Sequence, residues 1–173
     1  MKQLAFLTIL LFALPACAGE AEQGILVDLD AVVEAGEVSP VDGITSAGQP
    51  DEQALQVFAD SGYAVVIDMR GPGEDRGMDD FPGAVEAKGM QYIAFPVSGA
   101  DQISFETAAE LDALLEEADG PVLVHCASGN RVGALLALRK SLNGADDESA
   151  LAYGKDAGMT RLEPRVREVL EKD

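Results

Sequence analysis

Tryptophan is absent from this 173-residue chain, histidine occurs once and cysteine twice. Aromatic residues make up only 5%, so the core has to be built from Leu, Val, Ile and Ala. One His and two Cys cannot furnish a Cys/His zinc site. Basic residues are scarce as well: 12 Lys+Arg stand against 31 Asp+Glu, for a net charge of −19. A surface of that sign repels a phosphate backbone, which argues against nucleic-acid binding. Apolar residues, in contrast, make up an ordinary 47%, which excludes a disordered chain. The length suits one domain with a real core.

The N-terminus reads as an export signal. Lys2 precedes an apolar run from Leu4 to Leu14, followed by Pro15-Ala16-Cys17-Ala18. A short basic start, an apolar middle and small residues at the end are the pattern of a secretory signal. The run is too short to span a bilayer comfortably. Two cleavages fit residues 1–18. Ala16-Cys17-Ala18 is a small-x-small site that would leave Gly19 first. Leu14-Pro15-Ala16-Cys17 is similar to a bacterial lipobox, which would make Cys17 a lipidated N-terminus. The expected location is the periplasm or outside the cell, with any membrane contact made through a lipid on Cys17. Removing residues 1–18 takes away Lys2 and no acid, turning −19 into −20. Either cleavage leaves Cys126 as the sole free thiol. Exported proteins normally pair their cysteines, so this one is a buried inert residue or a reactive thiol.

Beyond the signal, helix and strand patterns alternate. Residues 19–43 read as an acidic lead-in with an edge element, and residues 44–50 as turn-rich. A helix runs from Asp51 through Leu55 and Phe58 until Gly62 stops it. The apolar run Tyr63 to Met69 has the length of a buried strand. A polar loop, Arg70 to Asp80, leads to a short helix at 82–88. A second strand spans Gln91 to Pro96. Ser104 caps a helix carrying Phe105, Ala108, Leu111 and Leu115. A third strand spans Pro121 to His125, and a helix follows from Arg131 to Leu142. Helical stretches near 147–156 and 162–171 complete the chain. This alternation implies a parallel sheet with helices on both faces. Ligands of such sheets sit at the carboxyl ends of the strands. That rule selects Arg70, the loop after Pro96, and the turn at Cys126.

The turn after the third strand carries the chemistry: Val124-His125-Cys126-Ala127-Ser128-Gly129-Asn130-Arg131. A Cys leaves a buried strand, four residues turn, and an Arg opens a helix. Such a turn aims the backbone N–H groups of Ala127, Ser128, Gly129 and Asn130 at one spot, an anion nest. The helix start adds positive potential, and the same field favours a thiolate at Cys126. Gly129 permits a backbone angle that other residues resist. Arg131 can hold an oxyanion in a planar fork. His125 alternates away from Cys126 and reads as core support. Asp68, on a buried strand, reads as a hydrogen-bonded structural group. Arg70 can either face the anion or bridge to a neighbouring loop.

The turn resembles the His-Cys-five residues-Arg loop of dual-specificity and tyrosine phosphatases. The order Ala47-Gly-Gln-Pro50, Val65-Val-Ile-Asp-Met-Arg70, Gly89-Met-Gln-Tyr-Ile-Ala-Phe-Pro-Val97 and Val122-Leu-Val-His-Cys-Ala-Ser-Gly-Asn-Arg131 looks like one bacterial branch. That branch is the phosphatase-like domain found alone or fused to beta-lactamase-hydrolase-like proteins. The resemblance covers roughly residues 44–145. Two departures stand out. Only four residues separate Cys126 from Arg131, and Val132 occupies the position where a hydroxyl is usual. Cys-x-x-Gly-x-Arg is also similar to the persulfide loop of rhodaneses.

The resemblance implies a cysteine-phosphatase-type three-layer α/β domain over residues 44–173, with a central, mostly parallel sheet. It implies hydrolysis of phosphate esters through a phosphocysteine at Cys126. The loop amides, Arg131 and Arg70 would bind the phosphate. It places the general acid after Phe95-Pro96-Val97, where Asp101 is the sole carboxylate before Phe105; Glu74 and Asp75 are the runners-up. The expected partner is a phosphorylated small molecule or a phosphoprotein, with no metal or organic cofactor. The alternatives are a sulfurtransferase carrying a Cys126 persulfide and a non-catalytic module that binds anions or phosphoproteins.

Overall fold

The computed structural model describes residues 24–172. The expected export signal and Cys17 therefore lie outside the described residues.

Four strands form one sheet: β1 (Ile44–Ala47), β2 (Val65–Asp68), β3 (Gln91–Ala94) and β4 (Val122–His125). All neighbours are parallel, in the order β1-β4-β2-β3. Seven α-helices accompany them among the described residues: α1 (Leu29–Ala35), α2 (Glu52–Asp60), α3 (Phe81–Ala87), α4 (Phe105–Glu116), α5 (Asn130–Leu142), α6 (Asp147–Asp156) and α7 (Glu163–Leu170). Among these residues no helix is long and apolar enough to cross a membrane.

Strand alternation divides the core into two. Val65, Ile67, Val122 and Val124 face one layer, where Leu111 of α4, Leu135 of α5 and Val166 of α7 pack. Val66 and Leu123 face the other, against Val32 of α1, Leu55 and Phe58 of α2, and Phe81 and Val85 of α3. This is the expected three-layer α/β arrangement. Helix α5 is buried along its length from Val132 to Leu138 and lies between α4 and α6.

Four of the acidic residues serve helix starts. Asp28, Asp51, Asp80 and Asp146 each accept a backbone N–H from the first turn of the helix that follows, as does Ser104 at α4. Each such cap satisfies an otherwise orphaned donor and stabilises its helix by about 1 kcal/mol.

The turn-rich reading of residues 44–50 is corrected: Ile44–Ala47 is a buried strand on the sheet. Its Thr45 and Ser46 disguise it, yet both hydroxyls are satisfied inside the protein. Thr45 Oγ1 bonds Tyr63 Oη, and Ser46 Oγ donates to the Ala157 carbonyl at 2.7 Å. The outer side of β1 is closed by the segment before α1, where Ser46 N donates to Ile25 O and Val27 N to Ser46 O. Ile25, Val32 and Val38 are buried, so the lead-in packs on the domain as part of it.

Register lines up the strand ends. Ala47 and Asp68 both pair with His125, and Asp68 with Ala94. Gly48, Met69, Phe95 and Cys126 therefore leave the sheet side by side. The turn at Cys126 emerges from the central pair of strands, the place where an open parallel sheet forms a crevice.

Candidate active site

Helix α5 begins differently from the acid-capped helices. Its N-cap is Gly129, in the left-handed region at φ +79, and no side chain caps its first turn. A side chain at that φ would be strained, and a Cβ there would also run into Leu26 Cδ1. Backbone bridging between Ser128 and Gly48 ties the turn to the end of β1. The positive end of this 13-residue helix is thus left without a side-chain cap, which suits an anion. Ala127 and Ser128 are exposed, whereas Cys126 is 1% exposed and packs with the layer that holds Met69 and Val97.

Arg131 is braced from three directions. Its Nη1 donates to the Met69 carbonyl at 3.2 Å, the Val97 carbonyl at 2.9 Å and Glu74 Oε1 at 2.6 Å. Its Nη2 donates to Glu74 Oε2 at 2.7 Å. Glu74 thereby takes the fork at the tip of the guanidinium. The other fork, Nε–H with the second Nη2 hydrogen, lies along the opposite edge, free of Glu74. The hydrogen bonds to Glu74 hold the Arg131 pKa above its ordinary value, against burial, and the interaction with nearby Cys126 adds to this.

Glu74 is the residue whose role the sequence did not reveal. It accepts from Arg131 and from Gly71 N at 2.8 Å, and lies 3.5 Å from Arg70 Nε. The Arg131 hydrogen bonds pull its pKa down to about 2. Both carboxylate oxygens are engaged by Arg131, so in this arrangement Glu74 anchors the guanidinium. Asp75, exposed, accepts from Gly77 N and lines a neighbouring cleft of about 480 Å³ beside Met78 and Tyr92, which shares Pro72 and Glu74 with the cleft at Arg131. The structure does not bring it to Arg131. Arg70 bridges rather than faces the turn: besides Glu74 it reaches Gln49 Oε1 at 3.1 Å.

Asp101 sits exposed on a single 3-10 turn, Ala100–Gln102. The turn is held by Gln102 Oε1, which accepts from Ser98 N at 2.6 Å, and by Arg165 Nε, which donates to the Ala100 carbonyl at 3.0 Å. Ser98, Gly99 and Ala100 wall a cleft of about 530 Å³ that also contains Arg131 and Glu74. Asp101 is the next residue; it does not line the cleft, but its Oδ1 lies against Gly99, which does.

The buried polar pair beneath the turn matches its structural reading. Asp68 is fully buried and accepts from Arg70 N at 2.8 Å, Arg76 Nε at 2.6 Å and Tyr92 Oη at 2.9 Å. His125 is also fully buried, with its ring 5.0 Å from that of Phe81. Burial outweighs the attraction of Asp68 and drives the His125 pKa down to about 4, so the ring is neutral at pH 7. Below about pH 6.5 the unfolded chain takes up a proton that the folded one refuses. Stability is therefore expected to fall by about 3 kcal/mol between pH 6.5 and 4 on this account. Urea unfolding across that window checks it. Replacing His125 with Gln should flatten the slope, and the resonance of the only imidazole should titrate near 4.

A Beta-lactamase hydrolase-like protein from Agrobacterium fabrum is 33% identical over 123 residues, 67% of this chain. The chain spans only 28% of that relative's length. A putative phosphatase from Neisseria meningitidis has a similar fold, with a TM-score of 0.61 and 21% identity over 72% of this chain and 91% of that one. TpbA of P. aeruginosa, solved in complex with pTyr, aligns with a TM-score of 0.50 and 18% identity over 71% of this chain and 75% of its own. Residues 28–143, which include α1, match the family described as Beta-lactamase hydrolase-like protein, phosphatase-like domain, and the chain belongs to that family.

Proposed function

We propose that the protein is a cysteine-dependent phosphatase that hydrolyses phosphate monoesters. The observation that carries this reading is the uncapped start of α5 behind a thiol, with one fork of Arg131 left free of Glu74. The Cys126 thiolate attacks phosphorus, forming an S–P bond as the P–O ester bond breaks. The N–H groups of the turn and Arg131 hold the equatorial oxygens, whose charge grows in the transition state. Asp101 gives its proton to the departing oxygen. Water then breaks the S–P bond, releasing phosphate and restoring the thiolate. Support for Asp101 is its place against Gly99 of the cleft wall; hydrogen bonds to a leaving group tighten only once the ester is bound. The four-residue spacing between Cys126 and Arg131 favours a second reading, sulfur transfer through a Cys126 persulfide.

A paired assay separates the two. Phosphate release from an aryl phosphate is expected, and transfer of sulfur from thiosulfate to cyanide is not. The reverse outcome would replace phosphatase with sulfurtransferase. An Asp101→Asn variant should lose about a hundredfold in kcat on alkyl phosphates and little on nitrophenyl phosphate, whose leaving group needs no proton. An equal loss on both would remove Asp101 from the acid role.

A further inference from the structure

The cleft beside Arg131 has a third wall that comes from outside the matched family region. Residues 28–143 carry the family pattern, yet Leu162, between α6 and α7, lines the cleft together with Pro72 and Ser98. Its position is fixed by the catalytic turn itself. Asn130 Oδ1 accepts from Thr160 N at 2.8 Å, from Thr160 Oγ1 at 3.1 Å and from Leu162 N at 3.4 Å. Close helix packing holds the segment from behind, because a Cβ on Gly133 would strike Met159 N and Gly154 O. Arg165, one turn into α7, ties the same segment to Ala100, which also lines the cleft.

The chemistry of the remaining lining is sparse. Gly71, Gly73 and Gly99 offer backbone alone, Ser98 and Asn130 offer uncharged polar side chains, and Pro72, Ala100 and Leu162 offer apolar surface. The charged members, Arg131 and Glu74, are paired with each other. No second cation lines the cleft, and the chain as a whole carries −19. We infer that Leu162 is the specificity-determining contact for the part of the substrate beyond the phosphate, and that this part is uncharged. The inference rests on the phosphatase reading for the position of the phosphate. A second phosphate or a carboxylate on the substrate would meet no counter-ion there and would be repelled at long range. An apolar group would be covered by Leu162 and Pro72.

Binding to a Cys126→Ser variant tests this without turnover, using calorimetry with inorganic phosphate, phenyl phosphate and 4-carboxyphenyl phosphate. Phenyl phosphate should bind about fivefold more tightly than the carboxylated ester. Adding Leu162→Ala should weaken phenyl phosphate about threefold and leave inorganic phosphate unchanged. Adding Leu162→Lys should erase or invert the preference between the two esters, because it supplies the missing cation. A preference unaltered by Leu162→Lys overturns the inference. So does a Leu162→Ala variant that loses inorganic phosphate equally, since Leu162 would then act through the turn. Turnover by wild type reports on the phosphatase reading separately: absent hydrolysis with an intact Leu162-dependent preference would sink that reading and leave this wall standing.

Discussion

Replacing Cys126 with Ser is expected to abolish phosphate release from aryl phosphates, by at least about a thousandfold, while phosphate still binds. The two halves of this expectation come from different parts of the site. The nucleophile is one sulfur, 1% exposed at the end of β4, and a serine hydroxyl at neutral pH is a far weaker nucleophile than a thiolate. The anion cradle is backbone and Arg131, which the substitution does not touch. Phosphate affinity measured by calorimetry should therefore stay within a few-fold of wild type. Folding is expected to survive, since the exchange is nearly isosteric in a site that tolerates a small polar atom facing the turn. Cys126→Ala serves as the check that removing the sulfur, rather than adding a hydroxyl, causes the loss. If the Ser variant kept even a tenth of the activity, the nucleophile would be elsewhere and the phosphocysteine would have to be given up.

How far the sequence discloses such a site depends on whether its parts are local. The Cys126 turn is local: strand, four residues and helix lie within ten positions, and the chemistry follows from their order. The helix starts are local too, and Ser104 caps α4 as its spacing predicts. His125 and Asp68 are legible from strand alternation alone. Strand β1 was hidden because period and polarity point to a turn, and only tertiary partners, Tyr63 and Ala157, make Thr45 and Ser46 burial tolerable. Glu74 was hidden for the same reason on a longer scale. Its partner Arg131 is 57 positions away, and a loop carboxylate carries no mark that tells an anchor from an acid. The one available signal was its place just past the end of β2, beside the crevice that the sheet rule selects. Leu162 was the least legible, since an apolar residue at a helix start reads as core.

Arg131→Ala is expected to lower kcat/KM by about a thousandfold and to weaken phosphate binding as well, because its second fork meets the oxyanion in both ground and transition states. Arg131→Lys should recover little. A single ammonium cannot occupy the Glu74 carboxylate, the Met69 and Val97 carbonyls and the substrate together, as the planar guanidinium does. Glu74 acts through this geometry. Glu74→Gln keeps an acceptor for one Arg131 nitrogen but loses the charge and the second acceptor. A drop of about tenfold, mostly in kcat, is expected as the fork swings out of line. The double variant gives the sharper test. If Glu74 serves only to hold Arg131, then Glu74→Gln in the Arg131→Ala background should cost nothing further, the non-additivity of residues that work as one unit. A further loss there would give Glu74 a separate role, that of a proton donor. The pH profile argues the same point from the other side. With its folded pKa near 2, Glu74 stays ionised and the pair intact down through about pH 4. The lock weakens only as pH falls toward 2, where the carboxylate protonates and the stability it contributes is lost. An activity limb above pH 4 that vanished in Glu74→Gln would contradict this.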